Sequence, residues 1–313
     1  MKVDLHFIKS RLFGLFHKIK WAALVSALLA ATMGGVVRVT GSGLGCPDWP
    51  LCYGHIIPPM DVTAWIEYIH RLSGALAGIF ILIMAASALT VYNFNDRVLK
   101  LVLLTPGIVI IQGLFGAYTV LTEISPMIAL IHTGIATALV GLLAIIVTIS
   151  VKDDFTVAKG TALKRFNGFW HMTLWLLGLT YILILSGAYV TRTGASLACQ
   201  KIPMCGVSIA EMTGIQWNHM IHRIIAALVF ILMIYVLRKS KSIGYKRISN
   251  LITAMLSILS IQIILGIGNV LLGLPSELRA LHLTTATVFF AACSLLVGVL
   301  WYIKGYNLDI GKG

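Results

Sequence analysis

Charge is scarce in this sequence. Only 11% of its 313 residues are Asp, Glu, Lys or Arg, against about a quarter in a soluble globular domain. Too few polar groups are present to coat a water-soluble globule of this size. The shortage does not mean disorder, because 58% of the chain is hydrophobic and rich in Leu, Ile and Val, which is enough apolar surface to drive folding. Carboxylates are scarcest: 11 Asp and Glu stand against 24 Lys and Arg, for a net charge of +13. That excess has two competing readings, a surface for nucleic acid or other acidic partners, and charge held on one face of a membrane. A mean hydropathy of +0.93 points to an integral membrane protein.

A helix needs about 20 mostly apolar residues to cross a bilayer. Stretches at roughly 21–38, 65–91, 100–122, 126–151, 169–191, 215–237, 248–272 and 279–303 meet that requirement. They predict an all-α integral membrane protein with eight transmembrane helices. With the N-terminus inside, 18 of the 24 basic residues fall on the inner side, and only Arg38, Arg71, Arg192, Lys201, Arg223 and Arg279 fall outside. The bias predicts a multi-pass plasma-membrane protein with both termini cytoplasmic. Asp4, Asp96, Asp153, Asp154 and Asp309 are the inner acids, so the inner side carries the whole excess of +13 and the outer side balances. The charges therefore belong to topology, with the lipid bilayer as partner and no nucleic acid. A basic start and an apolar run give residues 1–30 a superficial likeness to a signal peptide. Gly34 and Gly35 continue the span, and it reads as a retained first helix.

The chain repeats itself. GVVRVTGSGLGCPDWPLC from Gly35 aligns with AYVTRTGASLACQKIPMC from Ala188, EYIHR from Glu67 with HMIHR from His219, and IQGLFGAYTVL from Ile111 with IQIILGIGNVL from Ile261. Each copy holds four spans, an even number, so the copies share one membrane orientation. The expected architecture is two four-helix repeats related by a pseudo-two-fold axis along the membrane normal. The halves run over 1–151 and 169–313, joined by a cytoplasmic linker at 152–168.

Four of the five cysteines form two Cys-x5-Cys pairs, Cys46 with Cys52 and Cys199 with Cys205. Both fall in outer loops, where a disulfide can form and persist. Zinc binding through convergence of the two pairs, and thiol exchange at Cys46–Cys52, are rival readings. Cys293 lies mid-span and reads as packing. The GSGLG stretch at 41–45 follows no strand and precedes no Gly-Lys-Ser/Thr, so it reads as a turn at the membrane edge and not a phosphate loop.

His70, His132, His222 and His282 stand near the outer ends of spans 2, 4, 6 and 8. Ionisable groups inside a membrane are expensive and usually face the bundle interior to perform a task. Two pairs of imidazoles at matching depth suit bis-histidine haem ligation, one haem per half. A di-iron centre would need more intramembrane carboxylates than Glu67. Glu67 stands one turn before His70, where the second copy has His219. A carboxylate there is a candidate base, electrostatic stabiliser or proton carrier, with an ion pair to Arg71 or Arg38 as the alternative. Arg71 and Arg223 each follow a candidate ligand, and both pairing with haem propionates and snorkelling to the interface are open to them.

The motifs GSGLGCPDWPLC, EYIHR, IHTG, TRTGASLAC, IHR and the histidine of RALHLT together resemble the haem A synthase family, in its bacterial form with paired outer-loop cysteines. The resemblance runs in order along nearly the whole chain. It implies an oxidoreductase acting on a CH3 group, oxidising the C8 methyl of haem O to the formyl of haem A by successive hydroxylations with oxygen from water. It further implies substrate haem O at His70 and His132 with Arg71 beside it, and a haem b cofactor ligated by His222 and His282 with Arg223 beside it. Glu67 is implied as the catalytic carboxylate, and the two cysteine pairs as loop disulfides. Haem O synthase and cytochrome oxidase assembly factors are the implied partners, and association into a homo-oligomer stays open. A two-haem, quinone-linked b-type electron-transfer protein and a haem transporter or chaperone are the alternatives. The first would need no difference between the halves.

Overall fold

The computed structural model describes residues 5–150, 161–242 and 246–310. Eight helices organise them: α1 Leu5–Val39, α2 Val62–Val91, α3 Arg97–Leu121, α4 Pro126–Ile149, α5 Thr161–Arg192, α6 Gly214–Lys241, α7 Lys246–Leu271 and α8 Ser276–Ile310. All eight are long and apolar enough to cross a membrane, as the apolar runs predict. Residues 152–160 of the expected linker lie outside the described residues, as does Val151. So do Lys2, Asp4, Lys152, Asp153, Asp154, Lys159 and Lys312, which enter the charge count.

Two helices start earlier than hydropathy indicates. α1 begins at Leu5 and α5 at Thr161, so the polar residues ahead of each apolar run are helical. Helical hydrogen bonds do not depend on side-chain polarity, and Lys and Arg are good helix formers. Elsewhere caps set the ends. The Asp61 carboxylate accepts the Ala64 N–H at 2.9 Å to open α2, and Thr213 with Gln216 forms a reciprocal capping box on α6. Asp61 lies outside the spans, and the Thr63 hydroxyl and the Ala64 N–H hold its carboxyl below the usual carboxylate range. α4 opens on Pro126, whose missing N–H is no loss in a first turn.

Within lipid a helix must satisfy its own backbone, and α3 meets this at a proline. Pro106 cannot donate to the Val102 carbonyl, and the neighbouring Thr105 hydroxyl supplies the bond instead at 2.7 Å. Thr180 and Ser294, both buried, likewise donate to carbonyls one turn earlier on their own helices.

The chain folds as two compact units, Met1–Ser125 with Ile135–Asp154, and Pro126–Gly134 with Phe155–Gly313. In the first unit α1 packs along α2, and α2 also meets α3. In the second, α5 meets α6, α6 meets α7, α7 meets α8 and α8 returns to α5, so four helices close a ring.

Lys20 is an exception to the expected exposure of inner-side bases. It is fully buried, with Nζ donating to the Val147 carbonyl at 2.8 Å and to Ser150 Oγ at 2.6 Å. A cation there satisfies last-turn acceptors of α4 and meets the negative end of its dipole. Lys20→Met keeps the stem but removes the donor from two buried acceptors. It is expected to cost about 1–3 kcal/mol, read as a lower melting temperature in detergent.

The repeated Thr-Gly pair has a structural reason. Gly41 and Gly194 both adopt φ +70, ending α1 and α5 in a left-handed turn. Thr40 and Thr193 back-bond to the carbonyls of Val36 and Tyr189. A short 3-10 turn follows in each case, Ser42–Leu44 and Ala195–Leu197. This confirms GSGLG as a turn. Gly45 is then required by contact, because a Cβ there would overlap the Thr63 carbonyl.

Candidate functional site

In the first unit the site grows from the third turn of α2. His70 Nδ1 lies 3.2 Å from the Ala30 carbonyl of α1. A carbonyl only accepts, so Nδ1 carries the proton and Nε2 keeps the lone pair. Four residues after Ala30 comes Gly34, where a Cβ would stand 3.0 Å from His70 Cε1. The imidazole is thus wedged against bare backbone, with its tautomer set by a neighbouring helix.

The second unit repeats this device twice. His222 Nδ1 lies 2.9 Å from Ser186 Oγ. The Ser186 hydroxyl is already donating to the Leu183 carbonyl at 2.8 Å, so it accepts from the imidazole. A Cβ on Gly187 would stand 2.9 Å from His222 Cε1. His282 Nδ1 donates to the Gln262 carbonyl at 3.1 Å, and a Cβ on Gly266 would stand 3.0 Å from its Cε1. The Gln262 side-chain nitrogen is 3.3 Å from His282 Nε2, and the Thr285 hydroxyl donates to Gln262 Oε1.

These arrangements fit a haem. A ligating histidine usually gives its second ring N–H to a carbonyl, carboxylate or water, which fixes the ring and leaves the other nitrogen for iron. His70, His222 and His282 each have that N–H tied to an adjacent helix. His132 stands half-buried in the second turn of α4, in the segment grouped with the second unit. Among the described residues no three or more His, Cys, Asp or Glu converge as a metal cluster. Gly187→Ala pushes a methyl into the His222 ring, and is expected to lower the haem-to-protein ratio of purified material while the helical content stays unchanged.

Glu67 is 5% exposed, and its Oε1 accepts from Arg71 Nε at 3.0 Å. Of the two ion pairs considered from sequence, the structure forms the one to Arg71. The rest of that guanidinium serves the first loop: NH1 donates to the carbonyls of Asp48 at 2.7 Å and Leu51 at 2.9 Å, and NH2 to that of Cys46 at 2.8 Å. Arg223 does the same in the second unit, donating to the carbonyls of Lys201, Pro203 and Cys199. Each arginine therefore ties its histidine-bearing helix to a cysteine loop.

Both cysteine pairs lie at disulfide-bonding distance, with Cα atoms 4.6 Å apart for Cys46–Cys52 and 4.3 Å for Cys199–Cys205. In the first loop the Asp48 carboxylate accepts the N–H groups of Tyr53 and Gly54 at 2.6 and 2.7 Å. The Gly54 N–H, with that of Tyr53, holds the Asp48 carboxyl below the usual carboxylate range. Cys293 is buried, as expected of packing.

The units differ where the sequence copies differ. His219 replaces Glu67, is 5% exposed and leaves its Nδ1 without a partner. Among the described residues Arg223 consequently has its loop carbonyls but no ion pair of the kind Arg71 makes.

Sequence reasoning missed Gly34, Gly187, Gly266 and Ser186. For Gly34 and Gly266 the signal is a glycine four residues after the carbonyl that holds an imidazole, visible only once the helices are paired.

Fold and site together define a multi-pass helical membrane protein with imidazoles held against neighbouring helices. The chain belongs to the cytochrome oxidase assembly protein family, COX15-CtaA, whose model matches residues 18–64 and 60–294. It is 29% identical over 285 residues to the "Heme A synthase" of Alkalihalophilus pseudofirmus, covering 88% of this chain and 94% of that one. With the protein of the same name from Bacillus pumilus it shares 32% identity over 285 residues, covering 88% and 89%. The Exiguobacterium sibiricum "Heme A synthase" is 31% identical over 276 residues, covering 86% and 90%.

Proposed function

We propose that this protein is a haem A synthase, an oxidoreductase that converts the C8 methyl of haem O to a formyl group. The reaction balances as R–CH3 + H2O → R–CHO with loss of four electrons and four protons, so water supplies the oxygen and a membrane acceptor takes the electrons. The observation that carries the reading is Glu67: a buried carboxylate fixed by Arg71 one turn before a tautomer-locked histidine, and replaced by His219 in the other unit. A pure electron-transfer protein has no need of that difference.

In this reading the halves 1–151 and 169–313, joined by 152–168, are repeats about an axis along the membrane normal. The recurring turn, cysteine loop, arginine tie and glycine-backed histidine support it. His70 and His132 hold the substrate haem O, with Arg71 beside it. His222 and His282 hold one haem b, with Arg223 beside it. Bound haem b supplies a one-electron outlet for the reducing equivalents. Glu67 then serves the water that adds to the oxidised methyl carbon: Oε1 stays on Arg71, and Oε2 takes the proton. The guanidinium N–H groups left over by the loop carbonyls are available to propionates.

The excess of basic residues on one side supports cytoplasmic termini and haem sites near the outer face. Haem O synthase and the oxidase assembly machinery are the corresponding partners. Co-expression with a haem O source tests the reading: extracted haems should include haem A, and a persistent haem O pool without it would favour a transporter or chaperone.

A further inference from the structure

The first loop carries an apolar face that the site does not use. After Cys52 the chain reads YGHIIPPMDV into α2, and Ile56, Ile57 and Met60 are 77%, 66% and 95% exposed. Trp49, Leu51 and Tyr53 widen the patch. No Asp, Glu, Lys or Arg occurs from Trp49 to Met60. Contiguous exposed apolar surface of this kind marks an interaction site.

The loop is a built platform. Cys46 and Cys52 close it, Arg71 holds three of its carbonyls, and Cys52 and His55 exchange backbone hydrogen bonds at 2.9 and 3.0 Å. Its height against the bilayer follows from α2. The apolar run 65–91 extends about 40 Å at about 1.5 Å per residue, which matches the hydrocarbon core together with its headgroup layers. The first turns of α2 therefore lie in the outer headgroup layer. The loop packs beside those turns: Ala64 shares a buried cluster with Cys46 and Cys52, and Arg71 reaches the Cys46 carbonyl. Aromatic residues at this level, Trp49 and Tyr53, suit a membrane–water interface.

We infer that the Trp49–Met60 face is a membrane-contacting lip, seated among the headgroups and upper acyl chains of the leaflet beside the start of α2, with the lipid surface itself as its partner. Continuity with the lipid-facing spans favours this over a protein partner, as does the absence of any charge with which to select one. The segment leading into α6 differs in charge, carrying Lys201 and Glu211 among its exposed apolar residues. The lip suits delivery of a lipid-dissolved substrate, a consequence that rests on the function proposed above and is not needed for the membrane contact.

The test labels Ile57→Cys with the fluorophore NBD in full-length protein reconstituted into phosphatidylcholine nanodiscs. Met60→Cys serves as a second position on the same face, and single labelling is verified by mass. The lip predicts blue-shifted emission, loss of most of the signal to lipids bearing a nitroxide high on the acyl chain, and little loss to aqueous iodide. Ser208→Cys in the other loop should show the reverse. Iodide quenching at both Ile57→Cys and Met60→Cys, without lipid quenching, would overturn the inference and leave the face in water.

Discussion

Glu67→Ala is expected to leave both haems bound and to lower the rate of haem A formation at least about a hundredfold, the usual contribution of a positioned acid–base group. The argument is local. Glu67 shares a helical face with His70, one turn away, and neighbours at that spacing have Cβ atoms about 5–6 Å apart. Burial removes competing water from the carboxylate, and Arg71 fixes one oxygen at 3.0 Å. A group held in this way suits work on a reacting atom beside His70. Since Arg71 also donates to three loop carbonyls, losing the carboxylate does not release the arginine, and folding should survive. Glu67→Gln separates chemistry from positioning, because the amide oxygen still accepts from Arg71 but the side chain cannot take a proton. A Glu67→Gln protein that formed haem A at the parental rate, measured by chromatography of extracted haems, would remove Glu67 from the chemistry.

His222→Ala should abolish the low-spin b-type spectrum of the purified protein and reduce its haem b content to background. In the proposed reading the haem would lose one of its two histidine ligands outright. Ser186, the hydrogen-bond partner of His222, is a weak iron ligand. His282→Ala should give the same result from the opposite helix. Ser186→Ala isolates the hydrogen bond: the haem stays, and its midpoint potential moves because the ligand's N–H has lost an acceptor. An unchanged reduced-minus-oxidised spectrum in His222→Ala would mean that the ligands are other residues.

Much of this was legible in the sequence because the membrane constrains it so strongly. Eight apolar runs read as eight helices, and the helices are there. Thr-Gly and Cys-x5-Cys repeat in sequence, and both now have geometric reasons in the helix ends and closed loops. The candidate histidines stood out because an imidazole in an apolar run is conspicuous. What stayed hidden depends on which helices pair. Gly34, Gly187 and Gly266 look like ordinary small residues in spans until an imidazole is seen against them. Lys20 counts as one more inner-side base in a charge tally, yet it is buried on α4 acceptors. Arg71 and Arg223, candidates for propionates or the interface, turn their guanidinium groups to loop carbonyls, a destination that depends on how a cysteine loop folds back over its helix. The early starts of α1 and α5 were invisible to hydropathy, which reports the bilayer and not the helix.

The most direct test supplies haem O to the purified, haem b-loaded protein with an electron acceptor and follows the extracted haem by mass spectrometry. The account predicts a product that has gained one oxygen and lost two hydrogens, preceded by a hydroxylated species, with label from isotopic water in that hydroxyl. Haem O recovered unchanged while the bound haem b cycles between oxidation states would contradict it, and would make the protein an electron carrier.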